Sequence, residues 1–163
     1  MYKNILLPCN GLAKCSSGTC HGVLLAKLHQ AKVTAMYVSK YFSVQEVLNY
    51  YHEDSPWSVS DGKKAQEAIL EAQDVHEEPV DRAFHAVERM CAEHGVPCKV
   101  MHLEGDSPAD EVVHAAEQEG CDLIFLSTHG RPGIIKKLLG AVAAKVIATT
   151  EIPVLVHQCD GPV

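Results

Sequence analysis

A chain of 163 residues, 47% of them apolar, fits one compact domain with a core of its own, and two domains would be cramped. The formal charge of -7 argues against a nucleic-acid or anionic-membrane surface, because recognition of that kind needs clustered Lys and Arg. No apolar run approaches the ~20 residues of a membrane span, and the opening Met-Tyr-Lys-Asn-Ile-Leu-Leu lacks a secretory h-region, so the expectation is a cytoplasmic protein. The seven cysteines include no Cys-x-x-Cys and read as free thiols in a reducing compartment.

In chain order, Lys3 to Pro8 carries Ile5, Leu6 and Leu7 in a row, which suits a strand covered on both faces. Cys9-Asn10-Gly11 supplies turn residues at its carboxyl end. Lys14 to Gln30 reads as a helix with Val23, Leu24 and Leu28 on one face, and Gly18 and Gly22 mark a close approach of another element. Val33 to Val38 gives a second strand. Residues 39–61 are polar and aromatic without one sustained period, an irregular excursion with a short helix at Val44 to Tyr51.

From Gly62 to Cys91 apolar residues follow helical spacing, interrupted by Glu78-Pro79, where a kink or a break is expected. Gly95 is placed as a C-cap. Pro97 to Leu103 forms a third strand. Ser107 and Asp110 fit a capping box, with Pro108 at the first helical position and Gly120 closing the helix. Asp122 to Ser127 is a fourth strand, Lys137 or Gly140 to Thr149 a helix, and Pro153 to His157 a fifth strand. Alternating strand and helix predicts an α/β fold with a parallel sheet and helices on both faces, residues 1–160 forming a single domain.

The stretch from Leu123 to Val142 is built to hold an anion. An apolar strand meets a glycine-bearing turn, and a second glycine precedes an alanine-rich helix whose first N–H groups are free to point at a ligand. Ser127-x-x-Gly130, nine residues, then Gly140-Ala141 resembles the motif of the universal stress protein family. Further matches are Lys3-Asn4-Ile5-Leu6-Leu7-Pro8, Gly105-Asp106-Ser107-Pro108-Ala109, Thr128-His129-Gly130-Arg131 and Ile152-Pro153-Val154-Leu155-Val156.

This resemblance implies a doubly wound five-stranded parallel sheet in the order 3-2-1-4-5, the adenine nucleotide alpha hydrolase-like fold. It also implies an adenine nucleotide, ATP or AMP, as a regulatory ligand of a stress-response protein, with ATP hydrolysis weak at most. The implied binding residues are Pro8, Cys9, Asn10, Val38, Leu126, Ser127, His129, Gly130, Gly140, Ala141 and Val142, with no catalytic residue and no metal. A homodimer through the last strand, at Pro153, Val154, Leu155 and Val156, is implied as well, and an apolar edge strand there needs a cover.

Three positions depart from the motif. Asn10 stands where nucleotide-binding members have Asp and keeps a carbonyl acceptor without the full charge. Ser127 replaces the first motif glycine, which carries strain if positive φ is required and fits if only space is required. Ala141 replaces the final Ser or Thr and keeps its N–H. Two alternatives therefore stand beside the nucleotide reading. One is a dimeric interaction module of the same family without a ligand, and the other is a thiol or metal sensor using Cys9, Cys15 and Cys20 beside His21. The P-loop, dinucleotide and nucleophile-elbow signatures are absent from the sequence.

Overall fold

The computed structural model describes residues 1–9, 16–39, 80–129 and 140–159. Along them run β1 (Asn4–Cys9), α1 (Ser16–His29), β2 (Lys32–Ser39), a helix α2 over residues 80–94, β3 (Cys98–Glu104), α3 (Pro108–Gln118), β4 (Leu123–His129), α4 (Ala141–Thr149) and β5 (Val154–Cys159). Ser39 closes β2. The rest of the 39–61 excursion and the Glu78-Pro79 interruption lie outside the described residues, as do Asn10, Cys15 and Gly130.

The five strands form one parallel sheet in the order β3-β2-β1-β4-β5, as the resemblance implied. Successive strand residues point to opposite faces, so a strand covered on both sides needs a continuous apolar run. Ile5 and Leu7 of β1 join Val33, Ala35, Leu123 and Phe125 beneath α1 and α2. Leu6 joins Met36, Ile124 and Leu126 on the other face, against Ala109, Val112, Ala115 and Ala116 of α3 and Ala143 and Val146 of α4. No helix of the described residues is long and apolar enough to cross a membrane.

Helix α1 turns a different face to the sheet from the one expected. Val23 and Ala26 are buried, but Leu24 is 38% exposed and Leu28 79% exposed. The reason is Gly22. A Cβ there would stand 2.7 Å from Leu7 Cδ1 and 3.2 Å from Phe125 Cδ1, so the helix lies directly on those side chains. Gly18, Gly22 and Ala26, four residues apart, form the buried row, and the larger leucines are carried outward. The close approach marked by glycine was legible; the leucine face was not, because helical spacing alone gives side-chain size no weight.

Both helix closures fall where glycine placed them. Gly95 has φ +68° and lets the Val96 N–H reach the Cys91 carbonyl at 2.8 Å. Gly120, at φ +62°, does the same for Cys121 and the Ala116 carbonyl at 2.8 Å. The start of α3 requires a correction. Ser107 occupies the N-cap and Pro108 follows it, but the Ser107 hydroxyl makes no capping bond. It accepts instead from Lys145 Nζ at 3.0 Å.

Gly22→Val is expected to destabilise the fold by about 2 kcal/mol, because the added isopropyl group, Cβ and two methyls, must displace Leu7 and Phe125 in a packed core. A fall in the urea unfolding midpoint at unchanged m-value checks this; a midpoint equal to the parent's would mean that α1 stands off the sheet.

Candidate functional site

The site arises where β1 and β4 part. Their hydrogen-bonded register pairs Ile5 with Leu123 and Leu6 with Ile124, whereas β1 pairs with β2 from Asn4 to Cys9 and β4 pairs with β5 from Ile124 to His129. The two central strands therefore diverge toward their carboxyl ends. Their onward connections also leave to opposite sides, the arrangement that opens a crevice in doubly wound sheets.

A cavity of about 310 Å³ lies at this end of the sheet, at the small end of the roughly 300–1,000 Å³ typical of ligand sites. Its walls are Pro8 and Cys9 of β1, Met36, Tyr37 and Val38 of β2, Pro108 and Val112 of α3, Leu126 and Ser127 of β4, and Val142 of α4. Among the described residues the wall's side chains are apolar except for the Tyr37 and Ser127 hydroxyls and the Cys9 thiol. Tyr37 meets His102 edge-on at 6.0 Å between ring centroids, and His102 Nε2 is 2.7 Å from the Ser39 hydroxyl. The Cys9 thiol is directed to the Leu7 carbonyl at 3.4 Å.

Of the residues singled out in the sequence, Pro8, Cys9, Val38, Leu126, Ser127 and Val142 stand together in this wall. Gly140 is the N-cap of α4 and Ala141 its first residue. A Cβ on Gly140 would sit 3.8 Å from Thr128 Oγ1, so the start of α4 abuts the end of β4. Among the described residues no side chain caps α4, and the N–H groups of a helix's first turn have no partner within the helix itself. His129 closes β4 opposite Cys159, while Asn10 and Gly130 lie outside the described residues.

Ser127 sits within β4, paired with His157, and among the described residues the non-glycine with positive φ is Gln30. Its backbone is thus an ordinary extended one. Glycine at this place would provide space rather than a special conformation.

Met36, Tyr37, Pro108 and Val112 went unselected in the sequence. The only signal for the first two was their place at the end of the second strand. Pro108 and Val112 are brought in by the crossover that lays α3 over the sheet, and no local pattern announces that.

Two walls of the cavity are held to each other by Lys145. From α4 it donates to Asp110 Oδ2 at 2.7 Å and to the Ser107 hydroxyl at 3.0 Å, both at the start of α3. The tie fixes the helix bearing Val142 against the helix bearing Pro108 and Val112. It also holds the Asp110 carboxyl below the usual carboxylate range, first through the Lys145 hydrogen bond and then through Ser107.

Cys9, Cys20 and His21, suggested for a thiol or metal sensor, are among the described residues. Cys9 is at the cavity and Cys20 half-buried on α1, and the His21 ring stacks on His157 at 4.3 Å. Cys15 lies outside the described residues, among which no group of three or more His, Cys, Asp or Glu side chains could hold a metal.

A sequence model of the Universal stress protein family matches residues 1–158. Universal stress protein MJ0531 of Methanocaldococcus jannaschii is 33% identical over 156 residues, covering 96% of this chain and 82% of that protein. Among solved structures, a universal stress protein in complex with cAMP aligns at TM-score 0.67 and 18% identity, covering 98% of this chain and 99% of the other. The universal stress protein of Archaeoglobus fulgidus in complex with dAMP aligns at TM-score 0.52 and 17% identity, covering 95% and 97%.

The Lys145 tie has a titration signature. A depressed carboxylate contributes stability above its unfolded pKa, 3.8, and loses it as pH falls through the lower folded value. In Lys145→Met the Asp110 carboxyl carbon is expected to titrate at higher pH, back toward 3.8, in an NMR titration. An Asp110 midpoint identical in parent and variant would show that Lys145 does not hold it in solution.

Proposed function

The chain belongs to the universal stress protein family, and from that premise we propose that it binds an adenine nucleotide, ATP or AMP, as a regulatory ligand in the cavity between the ends of β1 and β4. The observation that carries this reading is the shape and chemistry of that cavity. An apolar slot walled by Pro8, Val38, Leu126 and Val142 suits the faces of a purine, and the start of α4 at Gly140 adjoins it as a place for phosphate. The relatives crystallised with cAMP and dAMP support the same ligand class.

The three motif departures are compatible with binding. Ser127 occupies an extended backbone without strain, Ala141 retains its N–H at the helix start, and the Asn10 amide keeps a carbonyl acceptor. The ligand is read as retained rather than turned over, with ATP hydrolysis weak at most. Nucleotide occupancy would act as the signal of a cytoplasmic stress-response protein.

The second part of the proposal is a homodimer through β5. This strand ends the sheet, with Val154 and Val156 packed on the core and Leu155 37% exposed. An apolar edge of this kind invites pairing, and a second copy meeting it across a two-fold axis at Pro153, Val154, Leu155 and Val156 would cover it.

Addition of ATP or AMP is expected to raise the melting temperature, and calorimetry to give one site per chain. Val142→Trp, which fills the slot, should weaken that binding by at least about tenfold, roughly 1.4 kcal/mol. Neither nucleotide shifting the melting temperature at millimolar concentration, with none released from freshly purified protein on denaturation, would sink the nucleotide reading.

Light scattering should give twice the chain mass for the parent and the single-chain mass for Leu155→Asp. A parent that scatters as a monomer at micromolar concentration would end the dimer proposal.

A further inference from the structure

The side-chain groups of the cavity wall that can hydrogen-bond a ligand are unequally placed. The Cys9 thiol is turned to the Leu7 carbonyl at 3.4 Å. Tyr37 belongs to β2, with β1 between it and β4, and its ring meets His102 edge-on. Ser127 differs from both. It lines the cavity from β4, it is half-buried, and its hydroxyl has no hydrogen-bond partner among the described residues. The ladder between β1 and β4 ends at Leu6 and Ile124, so Ser127 stands where the two strands have already parted.

Its neighbours in β4 belong to different parts of the site. Leu126, just before it, packs with Met36, Val112 and Ala143 and walls the apolar slot. Thr128, just after it, abuts the start of α4, since a Cβ on Gly140 would lie 3.8 Å from Thr128 Oγ1. Ser127 therefore occupies the seam between the slot and the helix start. Lys145, the cation of α4, is engaged by Asp110 Oδ2 at 2.7 Å and the Ser107 hydroxyl at 3.0 Å, which commits its charge to the tie between α3 and α4.

We propose that Ser127 is a specificity-determining residue of this site: its hydroxyl donates to the phosphate attached to the sugar of an adenine mononucleotide, and the slot thereby prefers nucleotide to free nucleoside. The inference rests on the nucleotide reading given above. A serine hydroxyl carries one proton, and here no protein acceptor holds it, so it is available to an anion. A bond to a charged acceptor is stronger than one to a neutral group, which places its benefit on the phosphate rather than on the base. Serine in place of the motif glycine gives up room in a cavity of about 310 Å³ and gains a donor there. The extended backbone at this position lets it do so without strain.

Calorimetric titration of the full chain with AMP and with adenosine isolates the contribution of the phosphate. The parent is expected to bind AMP more tightly than adenosine. Ser127→Ala and Ser127→Gly should each lose at least about tenfold in AMP affinity, the scale of a hydrogen bond to a charged group, while adenosine affinity changes by less than about threefold. The two variants share the loss of the hydroxyl and differ in the room they leave, so Ser127→Gly keeps the test open if alanine packs badly. Three results overturn the inference and leave the nucleotide reading standing: AMP affinity equal in parent and both variants, an equal fall for both ligands, or a parent that binds AMP and adenosine alike. A parent that binds neither AMP nor ATP removes the nucleotide reading and this inference with it.

Discussion

The structure depends on how β1 is held between β2 and β4 at one end and released at the other. At the amino end the Asp122 carboxylate accepts from the Lys3 N–H at 2.8 Å and from the Asn4 N–H at 3.0 Å. Asn4, itself buried, donates from Nδ2 to the Glu119 carbonyl at 2.9 Å and accepts from the Thr34 hydroxyl at 2.9 Å. These bonds join β1, β2 and the turn before β4 in a region where an unsatisfied polar group would cost about 1–3 kcal/mol. With that end fixed, the short register between β1 and β4 lets the carboxyl ends separate, and the cavity is the space so made.

Most of the architecture was legible because it rests on patterns that local chemistry enforces. Ile5-Leu6-Leu7 and Leu123 to Leu126 need both faces covered, Gly95 and Gly120 take up left-handed backbone, and Pro108 begins a helix. Strand order came from the family motif instead, since periodicity has no term for which strand lies beside which. The face of α1 was misread because Gly22 allows an approach so close that the leucines are excluded from it. Ser107 was misread for a related reason: a lysine far along the chain, Lys145, supplies the donor that the hydroxyl and Asp110 both accept.

The candidate site divides along the same line. Residues at strand ends, such as Pro8, Cys9, Leu126 and Ser127, could be placed from the motif. Pro108 and Val112 enter the wall only because α3 packs across the sheet. Ser127 shows how a structure changes the meaning of a substitution. Loss of glycine reads in the sequence as a threat to the loop, but the position is an ordinary strand residue with its side chain at the cavity. Motif identity at that point records how much room is wanted rather than which backbone is allowed.

The short ladder between β1 and β4 bears on how such a protein can change over time. A pocket carved by side chains is lost or altered with each substitution in its lining. Here the opening is a gap between two main chains, set by a knot of hydrogen bonds at the far end of the sheet and by the directions in which the connections leave. Its lining can drift while the opening persists. Recognition and architecture are therefore separately inherited, and a chain of this kind can exchange one occupant for another without first rebuilding the place that receives it.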